Sequence, residues 1–266
     1  MPTEIGKLTL LTHFDVASND FNDKFPHQVG NLTNLEYFNI AYNRFGDGHS
    51  GFLPLELTFL TKVEYLNIGT NNIAGFMEFL CCSDENHRNM APYLPTYIGQ
   101  LTSLTNLELN GNMIQSPIPS EIGNLVNLIH LDLSQNQLYD ILPSTLGYLT
   151  KLTKIDLSSN LLTWSIPSEL VLLTNLQEAD LSDNGFSGEP PNNLTNMVNL
   201  QYLNLELNSM EGLIHCSPYG NMLSEVRVDC GKIFCSESCS CFTQQSYPTG
   251  IIHIDCPIVV ENSTGF

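Results

Sequence analysis

Glu108, Asp132, Asp156 and Asp180 stand 24 residues apart, each flanked on both sides by an apolar residue. If successive units stack as strands, these carboxylates fall into one row about 4.8 Å apart. Neighbouring members then repel by roughly 1 kcal/mol in a water-like dielectric before salt screening. Such a row attracts the Lys and Arg side chains of a partner, or divalent cations. A scaffold role competes, because Asp at a strand end also bonds neighbouring backbone and side chains. The whole row reads Asp15, Asn39, Asn67, Glu108, Asp132, Asp156, Asp180, Asn204 and Arg227. Two residues earlier stand His13, Tyr37, Tyr65, Asn106, His130, Lys154, Glu178, Tyr202 and Glu225. Tyr37 and Tyr65, with Tyr42 nearby, make an aromatic group on the first three units. Tyr is enriched in binding interfaces, though it is equally a good strand residue.

Other reactive side chains suggest structure before chemistry. No His adjoins a Ser or Cys in a hydrolase motif, and neither HExxH nor a Gly-rich phosphate loop occurs. His13 and His130 occupy the same position four strand steps apart, about 19 Å, too far to share a metal ion. No catalytic residue, metal site or cofactor is expected. Six of the eight Cys lie after position 210: Cys216, Cys230, Cys235, Cys239, Cys241 and Cys256. The run Cys235-x-x-x-Cys239-x-Cys241 lacks the paired C-x-x-C arms of a zinc site. Disulfides closing the end of the chain are the expected reading, with 15 possible pairings. Cys81 and Cys82 are adjacent; tying down an insertion, bridging chains and remaining free all stay open. Sequons at Asn31, Asn193 and Asn262 are glycosylation candidates. Together with the Cys cluster they favour an extracellular or cell-surface location.

Composition removes several function classes. Lys plus Arg total 9 against 28 Asp plus Glu, a net charge of −19 over 266 residues. Nucleic acid is an unsuitable partner, since phosphate binding rests on Lys and Arg. Anionic lipid is disfavoured for the same reason. No apolar run is long enough for a transmembrane helix, and MPTEIGKLTL carries no leader signature.

The elements that must position these residues come from an internal repeat. Leu-x-x-Leu-x-Leu-x-x-Asn-x-Leu recurs eight times, with its Asn at 19, 43, 71, 112, 136, 160, 184 and 208. Leu131 and Leu133 alternate with His130 and Asp132, the period of a half-buried strand. Asn136 is expected to close the strand in a turn, bonding backbone of its own and the next coil. Pro119 resets the chain, and Leu125 and Leu128 return it on the opposite side. One coil cannot bury its Leu face alone, so coils stack as a solenoid. A ninth half-unit, Leu223 to Val228, ends in Asp229-Cys230, placed where the Asn would stand. Repeat three carries an insertion near 74–92, and a shorter one spans about Gly46 to Gly51.

The segments Ile114-Gln-Ser-Pro-Ile118-Pro119, Leu162-Thr-Trp-Ser-Ile166-Pro167 and Phe186-Ser-Gly188-Glu-Pro190-Pro191 match the Leu-x-Gly-x-Ile-Pro continuation of one repeat class. The chain resembles leucine-rich repeat proteins of the plant-specific subclass, including receptor ectodomains and polygalacturonase inhibitors. Its Val-x-Val-Asp-Cys ending is similar to secreted diatom and algal repeat proteins. The resemblance implies an α/β-type solenoid, mostly β and coil: a right-handed superhelix with a parallel concave sheet of about eight to nine short strands. It implies recognition of a protein or peptide and not catalysis, and the net charge of −19 favours a partner of basic character. A structural or adhesive matrix protein is the alternative. Ice binding wants a regular Thr row, whereas Ala17, Ala41, Gly69, Asn110, Ser134, Ser158, Ser182 and Glu206 change character along their length. Residues 1–215 are read as the solenoid and 216–266 as a Cys-rich cap and tail. Met1-Pro2-Thr-Glu-Ile-Gly aligns with Ile118-Pro119-Ser-Glu-Ile-Gly, so the chain is expected to begin inside a coil, as a fragment or from a displaced start codon. The expected ligand residues are Tyr37, Tyr42, Tyr65, Glu108, His130, Asp132, Asp156 and Asp180.

Overall fold

A computed structural model describes residues 1–22, 24–46, 52–77, 93–191, 194–214, 225–229 and 233–235. Nine three-residue strands form one parallel sheet in chain order. They are β1 His13–Asp15, β2 Tyr37–Asn39, β3 Tyr65–Asn67, β4 Asn106–Glu108, β5 His130–Asp132, β6 Lys154–Asp156, β7 Glu178–Asp180, β8 Tyr202–Asn204 and β9 Glu225–Arg227. Register is constant from coil to coil: His130 opposes Asn106 and Lys154, and Asp132 opposes Glu108 and Asp156. The central residues, from Phe14 through Leu131 to Leu203, therefore point into one continuous apolar core. A slip of one residue would bring the charged neighbours inward, so burial itself pins the register.

Opposite the sheet, seven of the described coils return through a 3-10 helical turn led by proline. Pro95, Pro119, Pro143 and Pro167 precede the turns Thr96–Gln100, Ser120–Asn124, Ser144–Tyr148 and Ser168–Leu172. Their carbonyls accept the N–H groups of Ile98, Ile122, Leu146 and Leu170 at 3.0–3.1 Å. Proline suits this place because its fixed φ matches the turn entry and no N–H is required there. The turns stack closely enough to exclude a side chain at one position. A Cβ on Gly123 would lie 2.5 Å from the Thr145 carbonyl oxygen of the next coil.

The repeated asparagine holds the turn after each strand, but the cross-coil bonds of its side chain run to the preceding coil and not the next. The Oδ1 of Asn136 accepts the Ile114 N–H at 3.0 Å. Its Nδ2 lies 3.0 Å from the Leu109 carbonyl and 3.2 and 3.1 Å from those of Leu133 and Ser134 in its own coil. Asn43, Asn71, Asn112, Asn160, Asn184 and Asn208 accept in the same way from Phe21, Phe45, Ile73, Leu138, Leu162 and Phe186. The direction follows from geometry: the turn faces the coil already laid down, whose chain is leaving its own strand with free N–H groups.

A second sheet flanks the first, and the sequence reading did not anticipate it. It joins Tyr139–Ile141, Leu161–Trp164, Gly185–Gly188 and Ser209–Met210 in parallel. Phe52–Pro54 pairs with Gly75–Met77, which leads into the insertion, and Gly212–Ile214 pairs with Ile233–Cys235. The register of β9 also corrects the reading of Asp229. With Asn204 opposite Arg227, Asp229 lies opposite Glu206, two places short of the ladder position. Its two carboxylate oxygens each accept one N–H, from Leu207 and Asn208, both at 2.9 Å. In the coils before it, the corresponding N–H groups of Gln135 and Asn136 bond backbone carbonyls of the following coil. Cys81, Cys82, Cys216, Cys230, Cys239, Cys241, Cys256, Asn193 and Asn262 lie outside the described residues, as does most of the insertion.

Candidate functional site

The exposed face of the long sheet brings seven of the eight sequence-derived ligand residues into two adjacent rows. Strand register, read coil by coil, aligns Asp132, Asp156 and Asp180 and places Glu108 beside Asp132. Each Asp closes a small turn. The Oδ1 of Asp132 accepts both the N–H and the Oγ–H of Ser134, at 3.0 and 2.7 Å. Asp156 does the same with Ser158 at 3.0 and 2.7 Å, and Asp180 with Ser182 at 3.0 and 2.6 Å. In the coils that carry Asn instead, the amide oxygen accepts the same N–H: Asn39 from Ala41, Asn67 from Gly69 and Asn204 from Glu206. The turn therefore uses one oxygen and needs no charge. The second oxygen of each Asp is surplus to it. At Asp180 that oxygen accepts from the Asn204 amide at 3.1 Å. Burial, above all, pushes the Asp156 carboxyl up from its ordinary value; the Ser158 bonds oppose this, and the charges of Asp132 and Asp180 add to it.

The neighbouring row begins as an aromatic stack. His13 and Tyr37 lie 5.8 Å apart between ring centroids, at 15°, and Tyr37 and Tyr65 lie 4.6 Å apart at 5°. Three consecutive coils thus hold three near-parallel rings, a favourable offset geometry. A polar chain continues from the last ring. The Asn67 amide donates to the Tyr65 hydroxyl at 3.1 Å and to Glu108 Oε2 at 2.5 Å. Glu108 Oε1 then lies 3.8 Å from His130 Nδ1. Burial raises the Tyr65 hydroxyl pKa, with the Asn67 bond acting against it. Nε2 of His130 is buried and has no hydrogen-bond partner among the described residues. Tyr42 is not part of this stack: it occupies the turn after β2 with φ of 54° and is largely exposed.

Further along, cations enter the rows. Lys154 Nζ pairs with Glu178 at 2.9 Å across adjacent strands. Arg227 Nε pairs with Glu225 at 2.6 Å, and its guanidinium sits 5.6 Å above the Tyr202 ring centre. Sequence reasoning placed these residues in their rows without seeing that they pair. Among the described residues no three His, Cys, Asp or Glu side chains are arranged to hold a metal ion.

Residues 102–162 and 175–197 match leucine-rich repeat families. No curated protein matches the chain. Among solved structures, the plant peptide hormone receptor RGFR1 in complex with RGF2 is 32% identical, with a TM-score of 0.74, over 89% of this chain and 34% of that one. The Arabidopsis receptor kinase HAESA, in complex with the peptide hormone IDA and the co-receptor SERK1, is 28% identical, with a TM-score of 0.66, over 85% of this chain and 34% of that one. A plant ice-binding protein is 23% identical, with a TM-score of 0.65, over 88% and 68%, a likeness of fold alone. The chain is a leucine-rich repeat protein similar to plant receptor ectodomains. It spans about a third of the length of the two receptor structures.

Proposed function

We propose that this chain is an extracellular, non-catalytic recognition module that binds a peptide or protein of basic character on the exposed face of its long sheet. The observation that carries the reading is the row Asp132, Asp156 and Asp180. The turn it closes works equally well with an uncharged amide at Asn39, Asn67 and Asn204, so the row holds negative charge that folding does not require. Tyr37, Tyr65, Glu108 and His130 extend the same surface, and Tyr42 borders it from the turn. The receptors RGFR1 and HAESA, each bound to a peptide partner in its solved structure, support a peptide as occupant. Residues 1–215 form the binding solenoid and 216–266 its cap, closed by disulfides. Asn31, exposed on the opposite side in a 3-10 turn, is the glycan site within the described residues.

The test starts from a peptide selected from a displayed random library. Its association rate is measured against salt for the native chain and for Asp132→Asn combined with Asp156→Asn. Steering by the row weakens as the Debye length shrinks from about 10 Å at 0.1 M to about 3 Å at 1 M. The expected result is association slowed about threefold to tenfold by the double substitution, with dissociation changed less and the circular dichroism spectrum unaltered. A salt-independent rate, or an unchanged rate in the variant, leaves the acidic row as scaffold only.

A further inference from the structure

On the flank beside the long sheet, a backbone position of positive φ recurs in five of the described coils, four residues after the ladder asparagine, with Ser116 after Asn112 an exception. Gly75, Gly188 and Gly212 take it with φ of 150°, 80° and 128°, the left-handed region that glycine enters freely. In two adjacent coils the same place holds Asp140 at φ of 72° and Trp164 at φ of 67°. A bulky L residue there is a true outlier, and strain of this kind gathers at functional positions. Packing does not repay it. Trp164, the one Trp of the chain, is 66% exposed, as are Leu161 at 55%, Ile141 at 54% and Tyr139 at 42%. Leu161 lies directly opposite Tyr139, and Ile141 opposite Thr163, so the four apolar side chains share two neighbouring strands. The next strands of the same sheet present Gly185, Ser187 and Ser209 instead, so the apolar surface is local. Contiguous exposed apolar groups centred on Trp and Tyr mark interaction sites.

The surroundings state what can cover it. No Lys or Arg occurs from residue 155 to 226. The border of the patch carries Asp140, Asp183 and Glu189, all exposed. Gly188, next to Glu189, lies against Ser165, next to Trp164. A second copy of this chain would set these acids against their own kind within a net charge of −19 each, and an anionic lipid surface would repel them equally. We propose that the flank formed by Tyr139, Ile141, Leu161 and Trp164 is a second docking surface, for a protein face that is apolar at its centre and lined by Lys or Arg. It lies on a different sheet from the peptide row and is independent of that reading.

The probes are two labelled amphipathic helical peptides with the same leucine face, one with a lysine face and one with a glutamate face. Trp164, as the sole Trp, reports burial at the patch directly. The lysine peptide is expected to shift its emission to the blue saturably, and the glutamate peptide is expected to leave it unmoved. Affinity for the lysine peptide should fall about tenfold in Trp164→Gly, which suits the turn, and similarly in Leu161→Ser. The midpoint of the Trp164 emission shift, which reads the patch alone, should stay nearly constant in Asp132→Asn with Asp156→Asn, which separates this surface from the peptide row. Equal binding of the glutamate peptide, or unchanged affinity in both patch variants, overturns the proposal. So does a concentration-dependent shift without peptide, which assigns the patch to self-association, or a shift on anionic phospholipid vesicles, which assigns it to a membrane.

Discussion

The first three strands and the fifth to seventh are built on one backbone and present opposite surfaces. On β1 to β3 the outer row is a stack of His13, Tyr37 and Tyr65, and the inner row is mostly amide, with Asn39 and Asn67 bonded to Asp15, Tyr65 and Glu108. On β5 to β7 the inner row is wholly carboxylate and each acid is tied to its own Ser, while the outer row carries His130, Lys154 and Glu178. The amides of the first half bond side chains beside them and Glu108 of the next strand. In the acidic half Asp132 and Asp156 each retain an oxygen beyond the one that closes the turn. The lesson is that a repeat position can serve the fold identically in every coil and still differ in what it offers outward. The difference lies in the atoms left over once the turn has been satisfied.

The largest effect should come from residues that do not distinguish the halves. Asn71→Ala and Asn136→Ala, one in each half, both strip a buried turn of its bonds to two coils. Each should lose about 3 kcal/mol, because the freed backbone groups stay buried without partners. Urea unfolding of both variants checks this, and a loss confined to one half would break the equivalence of the scaffold. A smaller effect separates the halves. Tyr37→Ala removes the middle ring of the stack and should cost about 1–2 kcal/mol through lost area and ring contacts. Asp132→Asn, at the neighbouring row of the other half, should remain within about 0.5 kcal/mol because Oδ1 still accepts from Ser134. Thermal midpoints of the two variants measured side by side decide it.

The smallest expected effect is a pH dependence in the acid range from the carboxylate row. Asp156 has its pKa raised above the ordinary 3.8, first by burial and then by its acidic neighbours. The folded state thus holds the proton more tightly than the unfolded chain does. Its contribution to stability is fully present below the unfolded value and is lost as pH rises through the folded one. At neutral pH the ionised Asp156 therefore weakens the fold slightly. Asp156→Asn should be a little more stable than the native chain at pH 7, with the gain vanishing towards pH 3. Unfolding curves at both pH values check the sign. A gain that persists in acid would show that charge is not its source.

Much of this was readable from letters alone. The 24-residue spacing of the asparagines set the coil, and the alternation around Leu131 and Leu133 set a strand with one buried face, because a period of two has only one way to bury its leucines. The rows of Asp and Tyr followed, since constant register places equal positions side by side. Tertiary structure decided what no single coil contains. It showed that the Asn136 side chain bonds backwards, to backbone groups of the preceding coil that come within its reach only once the strands are stacked. It showed that Asp229, two places off the ladder, caps the turn before it, because side-chain reach depends on where the last strand comes to rest. Tyr42 left the aromatic group because its turn has a positive φ, a property of the backbone path. Trp164 was visible in the sequence at a place the repeat gives to glycine, yet its exposure and its apolar neighbours come from pairing between coils. The charge was in the composition from the start. Which oxygens are free to use it was settled only by folding.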